Sequence, residues 1–204
     1  MTLASAWRVG YDHTLKNRLA HEQEGLGMQT IDMQTAITLA SPFPYVLATT
    51  VDEAGKPNAI GLAWWTFVSL APSMIAISVG HGRYSHECLQ ACGEFVLCFP
   101  SAQLAQPAWR AGRVSGRKAD KFGEGGLVAV PATHVKPPLV EGSTAAFECT
   151  VVQTVEVGDH TLFIANVVET HGSPDKVIHL YSIHYTTLVG IGSDGTAIFD
   201  LKVE

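Results

Sequence analysis

The fold is decided by residues 45–68, which read YVLATTV (45–51), DEAGKPN (52–58) and AIGLAWWTFV (59–68). The outer two parts are rich in β-branched and aromatic residues, which favour strands, whereas the polar middle part carries the residues typical of turns. Two such runs around a polar turn form a hairpin. We therefore predict that a strand from Tyr45 to Val51 pairs with a return strand from Ala59 to Val68.

Further strand signals follow on the C-terminal side of this hairpin. In one of them Phe147, Cys149 and Val151 alternate with Glu148 and Thr150, which is the period of a half-buried strand. The remaining predicted strands are 74–79, 95–99, 161–168 after a turn at Gly158-Asp159, and a last hairpin formed by 188–191 and 197–199. Many short strands with few helical pieces favour a β-barrel over alternating βαβ units.

Composition narrows the class of protein. A chain of 204 residues fits one domain, and the net charge of −6 argues against a nucleic-acid-binding protein. Nothing in the sequence resembles a membrane-spanning helix or a secretion signal, so we expect a cytoplasmic protein. The four cysteines lie mostly in apolar runs, which indicates buried thiols in a reducing compartment, and no metal site is predicted from their spacing.

A loop suited to binding an anion follows the predicted strand 74–79. It reads Gly80-His81-Gly82-Arg83-Tyr84-Ser85 and leads into a short predicted helix, with Ser85 as the N-cap and Gly93 just beyond the C-terminus. Backbone N–H groups at the start of a helix, together with an arginine, form an anion site. The alternative is an ordinary strand-to-helix connection with a surface arginine.

Two other features admit both a functional and a structural interpretation. The basic run from Arg110 to Lys121 suits a short anionic ligand, or it is a solvated loop. Adjacent strand residues point to opposite sides, so Trp64 and Trp65 cannot both enter one core. The exposed tryptophan would form a stacking wall or part of a subunit interface, or it has no function.

Several segments, in this order, resemble the flavin reductase-like family, the FMN-binding split barrels, and in particular its flavoredoxin-type branch. They are 58–72, 78–85, 93–97, 115–122 and 158–163. The resemblance covers about residues 40–190 and implies a mainly β fold, a split β-barrel of the Greek-key type with a few short helices. The barrel domain would span 36–204, after an N-terminal extension at 1–35.

The resemblance also implies the binding residues. The flavin ring would lie along Gly61, Leu62, Ala63, Trp64, Trp65, Thr66, Phe67 and Ser69. The flavin phosphate would lie at Ser78, Gly80, Arg83, Tyr84 and Ser85, and Lys121 would offset negative charge. His160 would position the nicotinamide for hydride transfer, and Tyr181 and His184 could reach the same cleft.

The function that the resemblance implies is a flavin reductase. It would transfer hydride from NADH or NADPH to FMN or FAD and pass electrons to a monooxygenase or another acceptor, as a homodimer. Two alternatives remain: a carrier or sensor that holds flavin or haem without turnover, and a purely structural β-barrel dimer. The sequence does not distinguish a diffusible flavin from a bound one.

Overall fold

The computed structural model describes residues 28–173, 178–192 and 194–202. The chain divides into two compact units, Met1–Ala36 and Ile37–Glu204. Of the predicted N-terminal extension, residues 1–27 lie outside the described residues. The first described element is helix α1 (Met33–Leu39), which begins after Asp32 because the Asp32 carboxylate accepts hydrogen bonds from the backbone N–H and hydroxyl of Thr35.

Thirteen strands and two further α-helices make up the described part of the chain after α1. The strands are β1 (Phe43–Pro44), β2 (Val46–Val51), β3 (Pro57–Leu62), β4 (Trp65–Leu70), β5 (Ser73–Gly80), β6 (Glu94–Pro100), β7 (Ala129–Val130), β8 (Leu139–Val140), β9 (Ser143–Val157), β10 (His160–Gly172), β11 (His179–Ile183), β12 (Thr187–Ile191) and β13 (Ala197–Lys202). The helices are α2 (Tyr84–Cys92) and α3 (Ala105–Arg113), with short 3₁₀ turns at Ala102–Leu104 and Gly123–Gly125.

Seven strands form the main sheet, in the order β3-β2-β6-β9-β10-β5-β4. Its two edge strands, β3 and β4, are consecutive in the chain and are separated only by Ala63 and Trp64. Because two residues span only about 10 Å, the sheet must curl until its edges come close together. The two edge strands are not paired with each other, so the sheet is not closed into a barrel. The expected mainly β fold of the split-barrel type is confirmed.

The predicted return strand from Ala59 to Val68 is wrong in one respect. The chain pairs with β2 only as far as Leu62, and from Trp65 it pairs with β5 at the other edge of the sheet. At the crossing point the carbonyl oxygen of Trp64 accepts a hydrogen bond from Ser78 N at 3.0 Å. If residues 59–68 had continued as one strand along β2, β5 would lack both this hydrogen bond and its pairing with β4.

Two apolar clusters lie on opposite faces of the main sheet. The inner cluster fills the barrel and includes Ile77, Phe95 and Phe163, with Leu89 of α2 closing one end. The outer cluster packs α3, through Ala108 and Trp109, against β2, β3 and β6. The second sheet, ordered β1-β11-β12-β13, also packs here through Leu180 and Leu188.

The cysteine prediction holds for three of the four thiols. All four are free; Cys88, Cys98 and Cys149 are buried and Cys92 is half-buried. Burial raises the pKa of Cys98 to about 12, so that thiol stays protonated at neutral pH. Among the described residues, the helices are all too short or too polar to cross a membrane.

Candidate functional site

A cleft of about 290 Å³ opens where the main sheet is split. We call it the central cleft; its walls come from the end of β3, the crossing residues Ala63 and Trp64, the end of β5, helix α3 and the turn after β11. Its lining residues are Tyr45, Ile60, Gly61, Leu62, Ala63, Trp64, Ser78, Gly80, Arg83, Trp109, Gly112, Arg113, His160, Ser182 and Tyr185. The cleft therefore exists because consecutive strands lie on opposite edges of one curled sheet.

The wall formed by β3 can offer backbone hydrogen bonds to a ligand. Strand β3 is an edge strand, so the N–H and C=O groups of alternate residues point away from β2. The carbonyl of Ala59 points outward in this way, toward the ammonium of Lys121. Two residues further along, Gly61 presents its backbone to the same edge, at the central cleft.

Two glycines allow helix α3 to approach β3 closely. A Cβ on Gly61 would overlap with the hydroxyl of Tyr45, and one on Gly112 would lie 2.5 Å from the same oxygen. That hydroxyl is held between the two backbones, where it donates a hydrogen bond to Ala108 O at 3.0 Å. This close packing places the C-terminal turn of α3, with Arg113, at the cleft.

An aromatic wall faces β3 across the cleft. The Trp64 ring lies 5.0 Å from the His160 ring, centroid to centroid, and Trp64 Nε1 donates a hydrogen bond to the Tyr185 hydroxyl at 3.0 Å. His160 Nδ1 lies 2.7 Å from a carboxylate oxygen of Asp159. Because His160 pairs with Gly80 across the strands, its ring covers the glycine at the cleft floor. These flat side chains suit a planar aromatic ligand.

A second cavity, of about 420 Å³, adjoins the central cleft and shares Ile60, Arg83, Gly112 and Arg113 with it. We call it the cationic cavity. Its charged lining residues are Arg83, Arg113, Lys118 and Lys121, and no acidic side chain occurs among its described lining residues. In a chain with a net charge of −6, this concentration of positive charge marks a site for an anion.

Helix α2 begins at the wall of the cationic cavity. Its N-cap is Arg83 rather than the predicted Ser85, which lies inside the first turn. A buried contact beneath the helix holds the serine in this position: Asn58 Nδ2 donates a hydrogen bond to Ser85 Oγ at 2.8 Å. The helix start adds backbone N–H groups to the positive side chains. The predicted C-terminal Gly93 is confirmed, with a left-handed φ of 69°.

Lys121 is buried at the far side of the cationic cavity, with 6 % of its surface exposed. Its Nζ donates a hydrogen bond to the carbonyl oxygen of Ala59. Burial, and to a lesser degree the neighbouring positive charge of Arg83, lowers the pKa of Lys121 to about 8. A buried ammonium of this kind is stabilised when an anion binds beside it.

The two spaces together match one kind of ligand, with a flat aromatic part and an anionic part. The central cleft supplies backbone groups on one side and aromatic rings on the other, and the cationic cavity supplies charge at one end. Their volumes lie in the range of roughly 300–1,000 Å³ that small-molecule sites occupy. A flavin nucleotide has both parts, and the residues present fit it.

Comparison with known proteins identifies the family. Residues 39–188 match the model of the flavin reductase like domain. The chain belongs to the flavin reductase-like family. It is 35 % identical over 147 residues to an uncharacterised protein of Archaeoglobus fulgidus, covering 71 % of this chain and 83 % of the relative.

Two further relatives carry functional descriptions. The chain is 26 % identical over 141 residues to an NADH-dependent FAD reductase of Streptomyces globisporus, covering 69 % of this chain and 76 % of the relative. Its fold is similar to that of the flavoredoxin of Desulfovibrio vulgaris (Miyazaki F), with a TM-score of 0.64, 26 % identity, and coverage of 88 % and 94 % of the two chains. The resemblance to the flavoredoxin-type branch is thus supported.

Most of the binding residues predicted for this flavin reductase-like chain lie together. The central cleft brings together Gly61, Leu62, Ala63, Trp64, Ser78, Gly80, Arg83 and His160, and the cationic cavity adds Tyr84, Ser85 and Lys121. The predicted separation of the two tryptophans is confirmed, since Trp64 lines the cleft while Trp65 packs edge-on against Phe99.

Other predicted residues lie outside both spaces. Trp65, Thr66, Phe67 and Ser69 are not among the residues that line the central cleft or the cationic cavity. They belong to β4, where Phe67 is 55 % exposed. Their contact with a flavin stays a prediction.

The site also contains residues that the sequence analysis of this flavin reductase-like chain did not assign to it. Tyr185 reaches the central cleft, whereas neither Tyr181 nor His184 is among its lining residues. Tyr181 lines a separate cavity with Trp65, whereas the next residue, Ser182, lines the central cleft. Arg113 belongs to the basic run noted in the sequence, but Tyr45, Trp109 and Gly112 gave no signal because only the packing of α3 on β3 brings them to the cleft.

Proposed function

We propose that this protein is an NAD(P)H-dependent flavin reductase that binds FMN, or FAD, in the central cleft. The observation that carries the proposal is the junction of an aromatic-walled cleft with a cavity lined by Arg83, Arg113, Lys118 and Lys121. Bound flavin would accept a hydride, two electrons with one proton, from the nicotinamide of NADH or NADPH. The family membership and the NADH-dependent FAD reductase among the relatives support the same activity.

The residues of the chain would orient this transfer rather than perform acid–base chemistry. Arg83, the start of α2 and Lys121 would hold the phosphate of the flavin, and the edge of β3 near Gly61 would offer N–H groups to the ring. Such preorganised donors stabilise negative charge as it develops on the ring. Trp64 and Tyr185 would exclude water from one side.

His160 is the proposed positioning residue for the nicotinamide. It stands at the cleft beside Trp64, with Nδ1 held by Asp159. The ring is 26 % exposed at its side chain, so an incoming nicotinamide can reach it. The contact with Asp159 fixes the orientation of the imidazole. Because the Asp159 side chain is exposed to solvent, this contact contributes little to the stability of the fold.

Substituting His160 by alanine tests this role. We expect the rate of anaerobic flavin reduction by NADH to fall by about tenfold to a hundredfold, because misplacing reactants by about 1 Å has this effect. The Kd for FMN should stay within a few-fold of the native value, since the phosphate residues are intact. Stopped-flow reduction kinetics and a fluorescence titration with FMN measure the two quantities.

Two outcomes of that experiment would count against the assignment. A rate unchanged in the H160A variant would remove His160 from the hydride-transfer geometry. An equal loss of FMN affinity and rate would make it a flavin-binding residue instead. His179, which lies outside both spaces, provides the matched control substitution, H179A.

Lys121 predicts a pH dependence of flavin binding. Because its pKa in the free protein is about 8, the ammonium is charged at pH 7 and loses its proton as the pH rises through 8. A phosphate binds better to the charged form, so FMN affinity should fall above pH 8 by up to about tenfold per pH unit. Titrations with FMN on both sides of pH 8 should show this fall, and K121M should abolish it.

We infer that the protein forms a homodimer through the exposed face of β4. Its side chains Phe67, Val68 and Leu70 are 55 %, 48 % and 85 % exposed, which is unusual for adjacent large apolar residues in a monomer. In a dimer, Thr66, Phe67 and Ser69 of one subunit could approach a flavin bound in the central cleft of the other subunit.

We also propose a cytoplasmic location, because the four free thiols suit a reducing compartment.

The physiological acceptor would be a monooxygenase or another electron-accepting protein. A domain spanning 36–204, with an extension at 1–35, is the organisation that we propose for this activity.

A further inference from the structure

Three metal-ligating side chains meet at the end of the barrel that helix α2 closes. His81 lies in the turn after β5, His86 in the first turn of α2, and Glu156 near the end of β9. One ring nitrogen from each imidazole and one carboxylate oxygen lie within 4.8 Å of one another. Because the three residues come from different elements, the fold rather than local sequence brings them together.

This cluster lies on the other side of the sheet from the central cleft. Thr161 pairs with Glu156 and with Val79 across the strands, and Val79 belongs to the inner apolar cluster. His160 precedes Thr161 in β10 and lines the central cleft. Since adjacent strand residues point to opposite faces, Glu156 and His160 lie on opposite faces. The cluster is therefore separate from the proposed flavin site.

Hydrogen bonds already hold the three side chains close together. Glu156 accepts the hydroxyl hydrogen of Thr161 at 2.8 Å, and its second oxygen lies 2.9 Å from His81 Nε2. The hydroxyl oxygen of Thr161 also lies 2.7 Å from His86 Nε2. Thr161 is buried, so the position of this hydroxyl is fixed by packing. The ligands are thus arranged before any ion binds, which lowers the ordering cost of binding.

The donor set is specific in its chemistry. Two imidazoles and one carboxylate suit borderline divalent transition metals such as Zn²⁺, whereas Ca²⁺ and Mg²⁺ prefer oxygen ligands throughout. Ligand atoms around a tetrahedral zinc ion lie about 3.3 Å apart, so the cluster needs to close by about 1.5 Å at most. The side chains of His81 and Glu156 are 41 % and 66 % exposed and can make this movement.

One ligand of the set is anchored inside the protein. His86 is buried, with 6 % of its surface exposed, and its ring lies 5.1 Å from the His81 ring, centroid to centroid. The exposed side of the cluster leaves room for water as a further ligand.

We propose that His81, His86 and Glu156 bind one divalent transition-metal ion of the zinc class. The ion would join the loop after β5 to the end of β9. Because His81 and His86 lie on either side of Arg83, it would also restrain the loop that carries this arginine. This last consequence rests on the proposed function, whereas the metal site itself does not.

The test is a metal titration of the full chain in the absence of flavin. Protein freed of metal with a chelator is titrated with Zn²⁺ by calorimetry, and with Co²⁺ by visible absorbance, which reports coordination directly. We expect one ion per chain in the site. H81N and E156Q should each weaken its affinity by at least about tenfold, the loss seen even when an outer-shell partner of a metal is removed.

A second His–Glu pair provides the matched control. His134 Nε2 lies 3.5 Å from Glu169, and both side chains are about as exposed as those of His81 and Glu156. H134N and E169Q should therefore bind Zn²⁺ as the native chain does. Circular dichroism of H81N and E156Q confirms folding, which is expected because the replaced side chains are exposed.

Two results would overturn the proposal. One is the absence of Zn²⁺ and Co²⁺ binding in the native chain. The other is binding that H81N and E156Q leave unchanged, which would place the ion elsewhere, for example at the thiols. Since no flavin or nicotinamide is present, either result leaves the proposed reductase activity untouched, and a failure of flavin reduction would leave the metal site untouched.

Discussion

Replacing Arg83 by alanine is expected to weaken FMN binding by about tenfold to a hundredfold while leaving riboflavin binding unchanged. Arg83 lines both the central cleft and the cationic cavity and occupies the N-cap position of α2. A hydrogen bond between a guanidinium and a phosphate contributes about 1.5–3 kcal/mol, which corresponds to this loss in affinity. Riboflavin lacks the phosphate and so has no group for Arg83 to bind.

The paired ligands make this experiment specific. Fluorescence titrations with FMN and with riboflavin are compared for the native chain, R83A and R117A. Arg117 is the matched control, because it is also a surface arginine near α2 but forms an ion pair with Glu87 and lies over the Tyr84 ring. Equal losses for FMN and riboflavin in R83A would show that the arginine supports the loop generally and does not bind the phosphate.

The second large effect concerns Glu148, a fully buried carboxylate in β9. It accepts hydrogen bonds from the backbone N–H groups of Thr133 and His134 at 2.7 and 2.6 Å, and it lies 2.7 Å from His171 Nε2. The carboxylate therefore attaches the segment before β8 to the main sheet. Glutamine has one side-chain oxygen instead of two, so after this substitution it cannot accept both backbone hydrogen bonds, and a buried N–H group is left without a partner. We expect E148Q to lose about 3 kcal/mol of unfolding free energy.

The contribution of Glu148 should depend on pH. Burial alone would raise its pKa, but the two backbone hydrogen bonds and His171 together outweigh burial, so the net pKa lies below the ordinary value. A carboxyl whose pKa is lowered in the folded state stabilises the fold fully at pH values above its pKa in the unfolded state. This stabilisation is lost as the pH falls through the pKa of the folded state. The difference in unfolding free energy between the native chain and E148Q should thus have its full size at neutral pH and become smaller below about pH 4.

Urea unfolding at neutral and acidic pH measures both effects. Glu169, which lies in the neighbouring strand and is exposed at the side chain, provides the control E169Q, and we expect it to change stability by less than about 0.5 kcal/mol. A loss in E148Q that is the same at all pH values would contradict the electrostatic explanation and indicate a packing defect.

The sequence predicts the strands well but not how they are joined across the barrel. Local patterns identify β2, β5, β6 and the long β9–β10 hairpin. The first three are runs of β-branched, aromatic or other apolar residues, and the hairpin shows the two-residue period in β9 and a clear turn at Gly158-Asp159. The break at Ala63 and Trp64 gives no local signal, since β3 and β4 together read as one continuous strand. Only the pairing of β4 with β5 at the far edge determines where the strand ends.

Contacts between polar residues that are distant in sequence were the hardest feature to predict. The alternation in β9 places Glu148 on the polar face, and it is buried only because residues 131–138 cover that face. Ser85 reads as an N-cap but lies two positions beyond the N-cap residue Arg83, inside the first turn of α2, where Asn58, distant in sequence, donates a hydrogen bond to its hydroxyl oxygen. His81, His86 and Glu156 likewise show no metal-binding spacing, since Glu156 belongs to β9, far along the chain from the two histidines.

Flavin reduction is tested most directly by an anaerobic absorbance spectrum of the purified native chain with FMN, recorded before and after addition of NADH or NADPH. If the central cleft brings flavin and nicotinamide together, the visible flavin band is lost far faster than in a mixture without protein. The R83A variant should need more FMN to reach the same rate. A bound flavin whose band persists after either nucleotide is added would contradict reductase activity and make the protein a flavin carrier or sensor.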